Sequence, residues 1–330
     1  MATLTGVSYL DFASRMDPDS KIRQIIELLG QTNPILEDMV AVEGNLPTGH
    51  KTTTRTGLPT ATWRLLNYGV QPTKSITSQV VDTCGMLEAY AEVDKDLAML
   101  NGNTAAWRLS EDRAHLEAMN QQMAQTLFYG SQIVNPERFT GLLPRYPTLA
   151  TVAGISTWNC VDAYPAAAGN DQNSMWLIVW GENTVHGIYP KGSQGGFQLQ
   201  DLGEQTLLDA LGGRYQGYRT HYQWKLGLTV RDWRYVVRIA NIDTSAITTV
   251  LAPILDAMMT AYDRIPSMGM GTPVFYCNAF VRTWLWRQAA AKGNVMLNID
   301  NPAGKPVLSF LGIPIKKCEQ LTSAENLVVV

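Results

Sequence analysis

Apolar and polar positions change rhythm several times along the chain, and each rhythm predicts an element. Residues 1–17 have little periodicity and are expected to run as an extended arm. Asp17-Pro18 then signals a helix start, because Asp caps free amides and Pro suits the first helical position. Ile22, Ile25, Ile26 and Leu29 form its apolar face and Gly30 its stop. Asn33-Pro34 breaks the chain before a short apolar turn containing Ile35, Leu36, Met39 and Val40.

From Glu43 to Val81 the pattern turns polar, Thr-rich and almost free of acid, with Gly-Leu-Pro and Gly-Val-Gln-Pro as punctuation. Thr and Val favour extended backbone, and Gly and Pro favour turns, which predicts a long β-hairpin with polar side chains on both faces. Arms of ~15 residues would reach roughly 50 Å at ~3.3 Å per residue. An isolated two-stranded ribbon of that length is marginal in water and needs a surface to lie on. No other segment looks large enough to sheathe it, so a second copy of the chain is the expected support. Trp63, Leu65 and Leu66 are its most apolar residues and the expected anchors on a neighbour. The Gly-Pro-rich hairpin ends and the Asn33-Pro34 break are the expected flexible joints.

The run CGMLEAYAEVDKDLAMLNGN reads as helical, closed by Asn101-Gly102. The strongest helix follows in TAAWRLSEDRAHLEAMNQQMAQTLFYG, where Leu109, Leu116, Met119, Met123 and Leu127 share a stripe and Gly130 is the stop. At ~25 residues it is roughly 37 Å long. Beyond a Pro- and Gly-bearing connector at 134–147, MWLIVW reads as a buried strand and 185–213 as glycine-rich loops. Alternation over 215–242 predicts two or three antiparallel strands. A helix over 245–265, a strand at PVFYCNAF, a helix at VRTWLWRQAAAKG stopped by Gly293, and two closing strands complete the chain.

With 330 residues, 45% of them hydrophobic, the chain is long enough for one large or two moderate domains with a substantial core. Charged residues are sparse at 17%, and aromatics are plentiful, which suits a surface that faces other protein. The formal net charge of −3 excludes a strongly basic nucleic-acid coat. No apolar run approaches the ~20 residues that span a bilayer, and no basic-then-apolar leader opens the chain. Cys84, Cys160, Cys277 and Cys318 are scattered and read as reduced thiols of a cytoplasmic setting.

Catalytic and cofactor motifs are missing: there is no phosphate loop, no His-Glu-x-x-His and no Gly-x-Ser-x-Gly. Gly192-Ser193-Gln194-Gly195 resembles a nucleophile elbow but has no leading strand. His50, His115, His186 and His221 lie far apart in sequence, in unrelated contexts. Glu88 and Glu92, at helical i,i+4 spacing, and the Asp201, Glu204 and Asp209 cluster read as solvated or ion-paired faces before they read as metal sites. Between Arg214 and Arg238, Arg219, Lys225, Arg231 and Arg234 interleave with Tyr215, Tyr218, Tyr222, Trp224, Trp233 and Tyr235. That pattern allows base stacking and a nucleic-acid-binding function for strands 214–238; alternation of aromatics and cations across a sheet is the preferred reading. The chain reads as a structural protein, with no enzyme activity, cofactor or metal expected.

The stretches SYLDFASRMDPDSKI, NPILEDMVAVEGNLPTGHKTTTRTGLP, EVDKDLAMLNGN, WGENTVHGIYPKG and GGRYQGYRTHYQWKLGLTVRDWRYVVRIANID resemble a family of tailed-bacteriophage major capsid proteins. The resemblance implies an α+β Johnson-type capsid fold with an N-arm, an E-loop hairpin, a P domain with a long spine helix, and an A domain. Placed on this chain, it implies an N-terminal arm and short helix at 1–40 and an E-loop at 41–84. The P domain would cover 85–150 with its spine helix at about 104–129. The A domain would cover 151–330, with late strands returning to the P domain.

It further implies an icosahedral shell of pentamers and hexamers of this chain, part of a virion assembled in the host bacterial cytoplasm. The arm begins within a few residues of Met1, so a separate scaffolding protein is expected, with a portal and packaged double-stranded DNA held non-specifically; a decoration protein is compatible with the resemblance but not implied by it. No membrane is expected to take part. Trp63, Arg64, Leu65, Leu66, Lys51, Arg55 and Lys74 are the expected inter-subunit contacts. Some family members crosslink through Lys–Asn isopeptide bonds; Lys51 and Lys74 lie in the E-loop segment without a recognisable Asn partner, so crosslinking is not expected.

Overall fold

The computed structural model describes residues 31–99, 104–164, 169–209, 211–244, 254–290, 297–300 and 307–329. The expected arm, the helix opened by Asp17-Pro18, and the stops at Asn101-Gly102 and Gly293 lie outside the described residues. In chain order the elements are α1 (Ile35–Asp38), β1 (Ala41–Glu43), β2 (Gly49–Gly57), β3 (Ile76–Asp94), α2 (Lys95–Met99), α3 (Thr104–Tyr129) and β4 (Cys160–Asp162). There follow β5 (Gln172–Trp180), β6 (Val185–Tyr189), β7 (Phe197–Leu208), β8 (Arg214–Val230), β9 (Val236–Asp243), α4 (Ile254–Arg264) and β10 (Thr272–Cys277). The chain closes with α5 (Ala279–Ala290), β11 (Leu297–Asp300), β12 (Val307–Phe310) and β13 (Ile313–Lys317).

Among the described residues the strands join into one 13-stranded mixed sheet, ordered β11-β12-β13-β10-β5-β6-β8-β3-β2. Strand β5 sits at its centre, antiparallel to β10 on one side and to β9 on the other. All nine of its residues are buried, as expected for a strand covered on both faces. The pairing of Trp180 with Val185 links this core region to a second wing built on β6 and β8.

Helix α3 spans 26 residues, and among its described side chains those that enter the core lie in its C-terminal half. There Met123, Leu127 and Phe128 are buried, and the Phe128 ring lies 6.4 Å from those of Trp176 and Tyr276. Leu109, expected on the buried stripe, is exposed. On α4 the buried residues Ile254, Ala257, Met258 and Ala261 follow the 3.6-residue period of a helix face. Asn278 caps α5, its Oδ1 accepting from the Val281 amide at 2.9 Å.

Two segments depart from the sequence expectation. The run after Cys84, expected as a helix, continues β3 as one strand of 19 residues. Leu87, Ala89, Ala91 and Val93 alternate with Glu88, Tyr90, Glu92 and Asp94, and this period of two overrode the helix propensity of Ala, Leu and Glu. Residues 185–213, expected as loops, contain β6 and the 12-residue β7. β7 pairs antiparallel with β8 from Phe197–Trp224 to Leu208–Arg214.

Candidate inter-subunit interface

Strand β3 serves two partners in succession. Its first part, Ile76 to Thr83, pairs antiparallel with β2. Its second part, Cys84 to Asp94, pairs antiparallel with β8. The hairpin is therefore an outward continuation of the sheet, and its root and tip differ sharply.

At the root, Arg145 donates to Asp82 Oδ1 at 2.8 Å and to the carbonyls of Thr140 and Leu228 at 3.2 and 3.1 Å. Asn45 exchanges two hydrogen bonds with the Lys51 backbone, at 2.8 and 2.7 Å. The Gly44 amide donates to the Tyr189 carbonyl at 2.8 Å. Glycine here gives contact, not the freedom expected of a joint. A Cβ on Gly49 would stand 2.0 Å from the Asp82 carbonyl oxygen, and one on Gly44 2.4 Å from that of Gly49.

Every residue from 58 to 74 is exposed. Trp63 is 101% and Leu66 85% exposed, with Leu58, Leu65 and Tyr68 beside them. A turn closes on Tyr68 N donating to Leu65 O at 3.2 Å, with Asn67 at φ 70°, a left-handed conformation that Asn tolerates. Thr73 Oγ1 reaches back to the Thr60 carbonyl at 3.0 Å, holding the two legs together. The structure thus gathers Trp63, Arg64, Leu65 and Leu66 at one tip. It spreads the remaining expected contacts. Lys51 and Arg55 share the exposed face of β2, and Lys74 lies on the return leg. Among the described residues, none of Lys51, Arg55, Arg64 and Lys74 forms an ion pair within its own chain.

A second exposed apolar point went unread in the sequence. The turn between β7 and β8 presents Leu211, 90% exposed, beside Leu208. Asp209 Oδ1 shapes it by accepting from the amides of Leu211 and Gly213 at 2.9 and 2.6 Å. The signal was the alternation Phe197-Gln198-Leu199-Gln200, which marks β7 as a strand and its end as a hairpin turn.

Four of the cations of 214–238, namely Arg219, Arg231, Arg234 and Arg238, are bound by groups of their own chain. Tyr222 and Trp224 face α3 alongside Leu87 and Met119, whereas Arg219 Nε meets Glu92 at 2.7 Å on the opposite face. Arg234 binds Asp232. Arg238 is buried, donating to Glu325 Oε2 at 2.9 Å and to the Tyr146 carbonyl at 2.9 Å. Ser174 and Tyr129 also donate to Glu325, so the C-terminal segment is fastened across the core.

Glu88 and Glu92 stand on a strand, not on the expected helix face, and no group of three metal-ligating side chains occurs among the described residues. Ser193 Oγ donates to the Pro190 carbonyl at 2.7 Å within a turn. The cysteines are free, and burial pushes the Cys277 and Cys318 thiols up to about 12, far from a reactive thiolate. Of the histidines expected to be unrelated, His50 and His186 meet, with ring centroids 5.8 Å apart.

The chain matches the family described as Major capsid protein GP7 over residues 17–329. A chain from the near-atomic-resolution structure of bacteriophage Epsilon15 is similar at a TM-score of 0.79 and 35% identity, covering 99% of both chains. The capsid of a native GTA particle gives a TM-score of 0.47 at 11% identity over 68% of this chain and 95% of that chain. The SrpI encapsulin of Synechococcus elongatus gives 0.44 at 11% identity over 68% and 92%. No curated protein matches the sequence.

Proposed function

The chain belongs to the GP7 family of major capsid proteins, and from that premise we propose that its hairpin tip is the grip by which each subunit holds its neighbour. It is a structural protein of the bacteriophage virion, with the α+β fold of tailed-phage capsid proteins, and it self-assembles into the icosahedral shell. One observation carries the proposal: the tip exposes Trp63, Leu65, Leu66 and Tyr68 together, with no covering surface among the described residues. Contiguous exposed apolar side chains of this kind mark interaction sites in soluble proteins. Trp is also among the residues that dominate interface energies, at ~2 kcal/mol or more each when fully desolvated.

In this reading 1–40 is the N-terminal arm, 41–84 the E-loop, 85–150 the P domain with its spine helix at about 104–129, and 151–330 the A domain. Arg64, Lys51, Arg55 and Lys74, which no carboxylate of their own chain neutralises among the described residues, orient the hairpin on an acidic strip of the neighbour. Each contact is modest, on the order of 800 Å² per partner. Repetition around pentamers and hexamers then makes the closed shell stable while single contacts remain correctable during assembly. A separate scaffolding protein and a portal complete the particle, which assembles in the host cytoplasm around non-specifically held double-stranded DNA.

The test replaces 58–74 with a short Gly-Ser turn joining β2 to β3. A soluble, folded subunit that sediments as small species and shows no shells by electron microscopy is the expected result. Shells of normal size and yield from this variant would refute the hairpin's role.

A further inference from the structure

Two histidines far apart in the sequence meet under the hairpin root. His50 is on β2 and His186 on β6, with their rings at an interplanar angle of 81°. His186 is 1% exposed, and the Nδ1 atoms of both rings are buried without a hydrogen-bond partner. The charged groups that face the pair are few. Asp82 of β3, opposite His50 in the ladder, commits Oδ1 to Arg145 and leaves Oδ2 unpartnered. Arg231, just beyond β8, donates to the Glu182 carbonyl at 3.1 Å. Cys84 lies near Asp82 with its thiol pushed up to about 11 by burial and then by Asp82.

We propose that His50 and His186 form a proton-operated latch: neutral, they seat the hairpin root against β6, and charged, they repel one another and Arg231 and release it. The inference rests on the fold alone, independent of what the tip binds. Burial is the main reason His186 is held down to about 4, and His50 and Arg231 push the same way, outweighing a backbone hydrogen bond at Gly181 and the pull of Asp82. His50 is lowered as well, by burial first and then by Arg231, against Asp82.

A released root returns both rings to water, where histidine titrates near 6.5. The open form therefore binds protons more tightly than the closed form. Closure is complete above that value and is lost as pH falls through the window from 6.5 towards about 4. For His186 alone, opening rises roughly thirtyfold between pH 7.5 and pH 5.

Hydrogen exchange of the full-length unassembled subunit, corrected for intrinsic rates, tests this between pH 7.5 and 4.5. Protection in β2 and the first part of β3 should fall at least tenfold with acid, while β5 stays protected. His50→Gln combined with His186→Gln should remove the fall and leave neutral-pH protection intact. A wild-type root whose protection does not change with pH overturns the latch, as does a fall that persists in the double variant or that β5 shares equally. Should the double variant misfold, an NMR titration of the wild-type histidines decides the matter: a His186 ring titrating near its ordinary value refutes it.

Discussion

Trp176 and Trp63 are the same side chain at the two limits of exposure. Trp176 in β5 is 0% exposed and Trp63 at the hairpin tip 101%. Around Trp176 lie Phe128 and Tyr146, with ring centroids 6.4 and 6.0 Å away, and the Arg238 guanidinium 5.7 Å from its ring. Around Trp63 the described residues supply nothing comparable. Both positions carry tryptophan, yet one is used up inside the subunit and the other, in the proposed grip, is left for a neighbour. The difference teaches that, in a protein of this kind, burial must be counted over the assembly.

Substitutions can break or sharpen this contrast, ranked by their effect on the free subunit. Trp176→Ala should cost about 3–5 kcal/mol, because an aromatic is removed from a region that cannot collapse; urea denaturation of the unassembled subunit measures it. Arg238→Leu should cost about 3 kcal/mol in the same assay, since it strands Glu325 as a buried, uncompensated charge. Gly49→Ala should cost about 1–3 kcal/mol through the clash with the Asp82 carbonyl, visible as faster hydrogen exchange confined to the hairpin root. Trp63→Ala should change subunit stability by less than about 0.5 kcal/mol and yet sharply reduce the yield of shells counted by electron microscopy. A subunit as destabilised by Trp63→Ala as by Trp176→Ala would abolish the distinction.

Much of this was legible in residue order alone. The hairpin, the long helix, the buried strand MWLIVW and the family resemblance all rest on patterns along contiguous stretches of the chain. The misreadings came from rules in conflict. LEAYAE carries helix-forming residues, but its alternation decides in favour of a strand once β8 is there to pair with. What no local pattern could reveal was pairing across the sheet. Arg238 finds Glu325 87 residues away, and His50 meets His186 only because β2 is seated beside β6. Exposure of the tip was expected from its polarity and turns, whereas the fixed root depends on Arg145, which arrives from a connector that showed no pattern of its own.

The continuity of β3 has a mechanical consequence. With the hairpin gripped as proposed, a pull from a neighbouring subunit would run along the strand axis into the ladder between Cys84–Gly227 and Asp94–Gly217. Hydrogen bonds loaded in that direction are sheared together; they do not peel one after another. Force applied at the tip is thus borne by the whole β3–β8 seam, a joint suited to a wall under tension from within.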